Sequence, residues 1–130
     1  MKIPEQYLPI MPYLIVKNAK QFMDFAKEVF EATEQLITPA GNDKIMHGEL
    51  KIHDAVIMFA DASDTWKEKT SAMYIYVTDA DKTYHSAINK GAKNLQSPEK
   101  KGYGYTAGFE DPFGNQWYVV EAEEIKVNIQ

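Results

Sequence analysis

Cysteine is absent from this 130-residue chain, which excludes disulfides, thiolate metal ligands and cysteine nucleophiles. Its absence suits a reducing compartment, and a cytoplasmic location is the expectation. Also missing is any run approaching the roughly 18 apolar residues of a membrane span, so no membrane association is expected. Pro4, Pro9 and Pro12 interrupt the opening segment, where a signal peptide would need a helical apolar stretch. There is no basic stripe, and a formal charge of -5 argues against a nucleic-acid partner. That charge weakly favours cationic over anionic ligands. What is present, 45% hydrophobic and 25% charged residues, is the composition of a folded protein. The length fits one domain over residues 1–130.

An internal repeat organises the chain. Pro12-Tyr-Leu-Ile-Val-Lys-Asn-Ala-Lys20 matches Met73-Tyr-Ile-Tyr-Val-Thr-Asp-Ala-Asp81 at a shift of 61, pairing Tyr13 with Tyr74, Val16 with Val77 and Asn18 with Asp79. Each copy reads as a short apolar strand ending at Asn18 or Asp79, residue types preferred at a helix N-cap. Apolar residues then recur at helical spacing, Ala19, Phe22, Met23, Ala26 and Phe30 in the first copy, Ala80, Tyr84, Ala87 and Ile88 in the second. Gly91 stops the second helix. Strand signals follow at 34–38, 44–52 and 55–60, and again at 93–96, 105–110 and 116–121. The reading is an α+β fold of two tandem β-α-β-β-β modules, about 8–61 and 71–122, forming a curved mixed sheet around a pocket. A polar linker at 62–70 joins them, and the tail 123–130, with alternating Ile125, Val127 and Ile129, is expected to add an edge strand or reach across a dimer.

Three segments carry a resemblance: Pro12-Tyr-Leu-Ile-Val, then Met46-His-Gly-Glu-Leu-Lys-Ile-His-Asp with Ile57-Met58, and above all Asp111-Pro-Phe-Gly-Asn-Gln-Trp117. In this order they resemble the vicinal oxygen chelate superfamily of glyoxalases, bleomycin-resistance proteins and dioxygenases, and within it the PhnB-like branch. The resemblance implies paired modules around a cavity and a homodimer. It also implies four metal-ligand places, one on the first and one on the last strand of each module. Those places fall on Met11, Met58, Ala72 and Tyr118, none a good donor to a hard or borderline divalent ion. No metal and no other cofactor is therefore expected. Relatives often carry an arginine a few residues before Asp-Pro-Phe-Gly, where this chain has Tyr105.

Strand alternation shows which side chains face the cavity. If Met11 and Met58 face inward, Tyr13, Tyr74, Tyr76, Gln116 and Tyr118 line the same wall. A two-residue turn at His53-Asp54 pairs Ile52 with Ala55, hence Glu49 with Met58 and His47 with Ala60. His47 and Glu49 should thus enter the pocket, as an acid–base pair or substrate contacts, as two metal ligands lacking an evident third, or as a hydrogen-bonded polar patch at the rim or a dimer contact. Tyr103 and Tyr105, in a Gly-Tyr-Gly-Tyr segment, are candidate lip residues, while His53 and His85 fall in a turn and on a helix as bystanders. Asp111 should bond the backbone of its own turn. Two functions stay open: metal-free binding of a small aromatic or cationic molecule, and a glyoxalase-like lyase, isomerase or other enzyme centred on His47 and Glu49.

Overall fold

The computed structural model describes residues 1–123. The edge strand expected from Ile125, Val127 and Ile129 lies outside the described residues. Ten elements follow in order: β1 (Tyr13–Val16), α1 (Ala19–Phe30), β2 (Thr33–Gly41), β3 (Lys44–Ile52), β4 (Ala55–Asp61), β5 (Ala72–Val77), α2 (Ala80–Asn89), β6 (Lys93–Lys101), β7 (Gly104–Glu110) and β8 (Gln116–Glu121). The tandem β-α-β-β-β modules are present. Each has its own mixed sheet, ordered β1-β4-β3-β2 in the first and β5-β8-β7-β6 in the second. In both, the module's first strand runs parallel to its last and the other pairings are antiparallel.

The duplication extends to how the helices start. Asp61 and Glu121, closing β4 and β8, accept the first helical N–H of their own modules, from Ala19 at 3.0 Å and Ala80 at 3.2 Å. Asp79 caps α2 as expected, accepting from the Lys82 N–H at 3.0 Å. Asn18 does not cap α1: its φ of 60° puts it in the left-handed region, and Asp61 takes over. Two strands outrun their sequence signals. β2 continues through Pro39 to Gly41 because the reversal is a tight Asn42-Asp43 turn with both φ positive. β6 absorbs Ser97 and Pro98 by slipping register between Gln96 and Glu99.

Both helices lie on the inner faces of the sheets, and the modules meet through one aromatic core. Phe30 of α1 packs 4.4 Å from Trp117 and 6.2 Å from Phe109, centroid to centroid. Phe113, in the turn before β8, meets Phe22 and Phe25 edge-on. Leu14, Val16, Trp117 and Val119 turn to this side and are buried. Their alternates on the outer faces, Tyr13, Tyr74, Tyr76 and Tyr118, are exposed. No helix among the described residues is long and apolar enough to cross a membrane.

Candidate functional site

The hairpin register places the first group of candidates as alternation requires. Glu49 lies opposite Met58, and Met58 in turn opposite Tyr13, so β3, β4 and β1 bring all three to one face. Glu49 is nevertheless only 2% exposed. Its Oε2 accepts the Tyr7 hydroxyl at 3.0 Å and lies 2.8 Å from His47 Nε2, while Oε1 accepts from Gln35 Nε2 at 3.0 Å. Burial pushes this carboxyl up, but the bonds from His47, Gln35 and Tyr7 outweigh it and hold Glu49 below its ordinary value.

An ionised carboxylate only accepts hydrogen bonds, so the network assigns the Nε2 proton to His47. Nδ1, 2.9 Å from the Tyr13 hydroxyl, is then the acceptor of the phenol proton when the ring is neutral. Burial, followed by the charge on Glu49, pushes the Tyr13 hydroxyl up and keeps it a donor. The result is a chain of three groups running from the buried Glu49 through His47 to Tyr13, whose residue is 47% exposed.

Tyr13 also opens onto a concave pocket of about 410 Å³. Ile15, Ile45, Met46 and Ala60 make its floor and sides, and Trp66 from the linker stands at its wall. The linker is held there by a two-way backbone bridge between Ile15 and Lys69, at 2.9 and 2.8 Å. Asp61 reaches the same pocket, but both its oxygens are engaged, by Ala19 N–H and by Ile45 N–H at 2.7 Å.

The other candidates sit elsewhere. Tyr74 and Tyr76, 5.6 Å apart, border a separate hollow of about 370 Å³ with Pro12, Ile52 and Ile57. Burial, then Tyr76, then Tyr103 push the Tyr74 hydroxyl up, and Tyr103 itself is exposed in the β6–β7 turn. Tyr118 donates to Gln116 Oε1 at 2.8 Å on the outer face of the second sheet. Tyr105 is a correction: it shares the parity of the buried Ala107 and Phe109, and its hydroxyl donates to Asp81 of α2 at 3.0 Å, on the helix side. Met11 precedes β1 and is half-buried. His53 and His85 are exposed in a turn and on α2.

Three contributors carried no usable sequence signal. Gln35 is the extra residue of a bulge, since Glu34 pairs with Leu50 and Leu36 with Glu49. Tyr7 belongs to an irregular N-terminal segment, and Trp66 sits in a linker that reads as polar.

Asp111 does more than hold its turn. Oδ1 accepts the N–H groups of Phe113 and Asn115, both at 2.9 Å; Oδ2 accepts Asn115 Nδ2 at 3.0 Å and Trp117 Nε1 at 2.9 Å. Asn115 Oδ1 in turn receives the Ser71 N–H at 3.1 Å, pinning the turn to the start of β5. The Asp-Pro-Phe-Gly-Asn-Gln-Trp segment thus closes the second module.

Residues 7–119 match the family described as the glyoxalase/bleomycin resistance protein/dioxygenase superfamily. The chain belongs to that superfamily. An uncharacterised protein of Mycobacterium tuberculosis H37Rv, Rv0887c, is 28% identical over 120 residues, covering 83% of this chain and 71% of its own length. Among solved structures, a PhnB protein from Bacillus cereus superposes with TM-score 0.73 at 15% identity, over 88% of this chain and 100% of the other. TnmS3, an antibiotic binding protein from Streptomyces sp. CB03234, gives 0.68 at 16% identity over 90% and 100%.

Metal-dependent members of the superfamily raise the question of an ion. The four places that the resemblance marks for ligands offer two thioethers, a methyl group and a phenol already bonded to Gln116. Among the described residues no group of three His, Asp or Glu side chains converges. This donor set does not fit a divalent ion.

Proposed function

We propose that this member of the glyoxalase/bleomycin resistance superfamily binds a small, flat aromatic or cationic molecule, without a metal, in the pocket between Tyr13 and Trp66. The observation that carries the reading is the pocket itself: about 410 Å³, mostly apolar in its lining, with the rings of Tyr13 and Trp66 among its lining residues. Such a volume and lining suit a small organic ligand, and aromatic faces attract flat rings and cations alike. Anionic ligands are disfavoured, because the chain has no arginine to grip them and a formal charge of -5. The fold shared with an antibiotic binding protein is compatible with this use.

Trp66 supplies the test. It is 66% exposed at the pocket wall, whereas the other tryptophan, Trp117, is 1% exposed in the core. Titration with a panel of planar aromatics, with and without a cationic amine, should give saturable Trp66 quenching that Trp66→Phe abolishes. Flat titrations across the whole panel would remove the reading. The homodimer belongs to the same proposal, since Tyr74 and Tyr76 stand open on the second sheet of the single chain. A monomer mass in sedimentation at micromolar concentration would count against it. Residence in the cytoplasm is likewise proposed, supported only by the lack of cysteine, and fractionation of the native host would check it.

A further inference from the structure

We propose that Tyr13, His47 and Glu49 form a metal-free proton relay that takes a proton from an acidic C–H or O–H of the pocket ligand. The inference rests on the binding reading, because it needs a molecule between Tyr13 and Trp66. The geometry supports it: Glu49 lies 2.8 Å from His47 Nε2, His47 Nδ1 lies 2.9 Å from the Tyr13 hydroxyl, and Tyr13 alone of the three stands at the pocket wall. Glu49 is held ionised by Tyr7 and Gln35, which donate and carry no charge, so its negative charge is free to stabilise an imidazolium. The arrangement is a serine-protease triad in logic, with a phenol in the place of the serine hydroxyl.

The step balances without an oxidant or a metal. The ligand's C–H bond breaks and its electron pair moves into an adjacent electron-withdrawing group. The proton goes to the Tyr13 oxygen as the phenol passes its own proton to His47 Nδ1. Tyr13 is neutral before and after; His47 becomes an imidazolium between Tyr13 and Glu49 and later returns a proton to the product or to water. Tyr13 is the catalytic residue, touching the ligand. His47 and Glu49 act through it. The largely apolar lining narrows the substrate class to aromatic carbon or oxygen acids; of its polar atoms, the Asp61 oxygens accept backbone N–H groups and Ser63 Oγ accepts the Trp66 N–H at 3.0 Å.

Phenylnitromethane is a suitable probe: a small aromatic carbon acid that ionises slowly to a planar nitronate absorbing in the ultraviolet. The full-length protein should speed nitronate formation over buffer. His47→Gln and Tyr13→Phe should each lower kcat about 100-fold, the scale of one general acid–base group, while the Trp66-monitored dissociation constant stays unchanged in His47→Gln, whose side chain does not line the pocket. Glu49→Gln should also lower kcat without moving that constant. In His47→Gly, added imidazole should restore rate, a rescue that a merely structural histidine would not show. A rate no higher than buffer overturns the relay, as does full activity in Tyr13→Phe or in His47→Gln. If Trp66 is quenched by the probe while no nitronate forms, the relay fails and binding stands; if Trp66 does not respond to any ligand, binding itself has failed.

Discussion

Replacing Asp111 by asparagine isolates what the superfamily's Asp-Pro-Phe-Gly signature does here. The substitution keeps size and shape but removes the charge and turns one oxygen into an NH₂ group. With the amide oxygen in the Oδ1 position, the bonds from Phe113 and Asn115 N–H survive, and the new NH₂ faces Asn115 Nδ2 and Trp117 Nε1, both donors. Flipping the amide merely moves the conflict to the two backbone N–H groups. Either way two donors lose their acceptor, in surroundings where Asn115 is fully buried and Trp117 nearly so. At about 1–3 kcal/mol for each buried group left unsatisfied, the loss is roughly 2–6 kcal/mol. Relief works the other way: burial pushes the Asp111 carboxyl up, so the native charge is itself costly to bury, which places the expectation at the lower half of that range. This is still a large part of the roughly 5–15 kcal/mol of a typical domain. Urea unfolding followed by tryptophan fluorescence at neutral pH should show the midpoint falling with an unchanged slope. A loss below about 1 kcal/mol, on the scale of a single ordinary hydrogen bond, would refute the claim that Asp111 holds the turn and Trp117 together.

Two further outcomes follow from the same packing. Gly48 faces Phe59, and a Cβ there would lie 2.4 Å from the ring, which is itself locked against Phe22; Gly48→Ala should therefore cost about 1–3 kcal/mol, and Phe59→Leu should recover part of it in a double-mutant cycle, so a neutral Gly48→Ala would contradict the register. Because Glu49 titrates below its ordinary value of 4.5, its contribution is present above that pH and is lost as pH falls through the folded-state value. The stability gap between the native chain and Glu49→Gln should accordingly shrink on acidification below about pH 4.5; a gap that stays constant to pH 3 in urea titrations, well into the usual carboxylate range, would show that the ionised form is not the one being held.

How far the site could be read from the chain depended on the range of the interactions. Alternation and a two-residue turn are local, and they were enough to set Glu49 opposite Met58 and to put Tyr13 on that face. They also implied that Tyr105 shares a face with Phe109, a signal that the glycine-rich look of its surroundings obscured. What alternation could not show was that Glu49 would be buried. Its partners Tyr7 and Gln35 stand 42 and 14 residues away, one on an irregular segment and one on a bulge that breaks the period of two. Of the expected polar patch, acid–base pair and substrate contact, what the structure shows is the hydrogen-bonded patch, of whose chain Glu49–His47–Tyr13 only Tyr13 lines the pocket.

By itself the sequence determined the duplicated modules, the hairpin register and the Asp111 turn. These follow from short-range periodicity, turn chemistry and side-chain identity, which a linear string carries. Tertiary structure alone decided that Tyr13 and Tyr74 would line separate hollows, that Trp66 would wall the first of them, and that Asp61 rather than Asn18 would receive the first N–H of α1. Each of those depends on segments far apart in the chain meeting at one place, and such a meeting leaves no trace in the spacing of neighbouring residues.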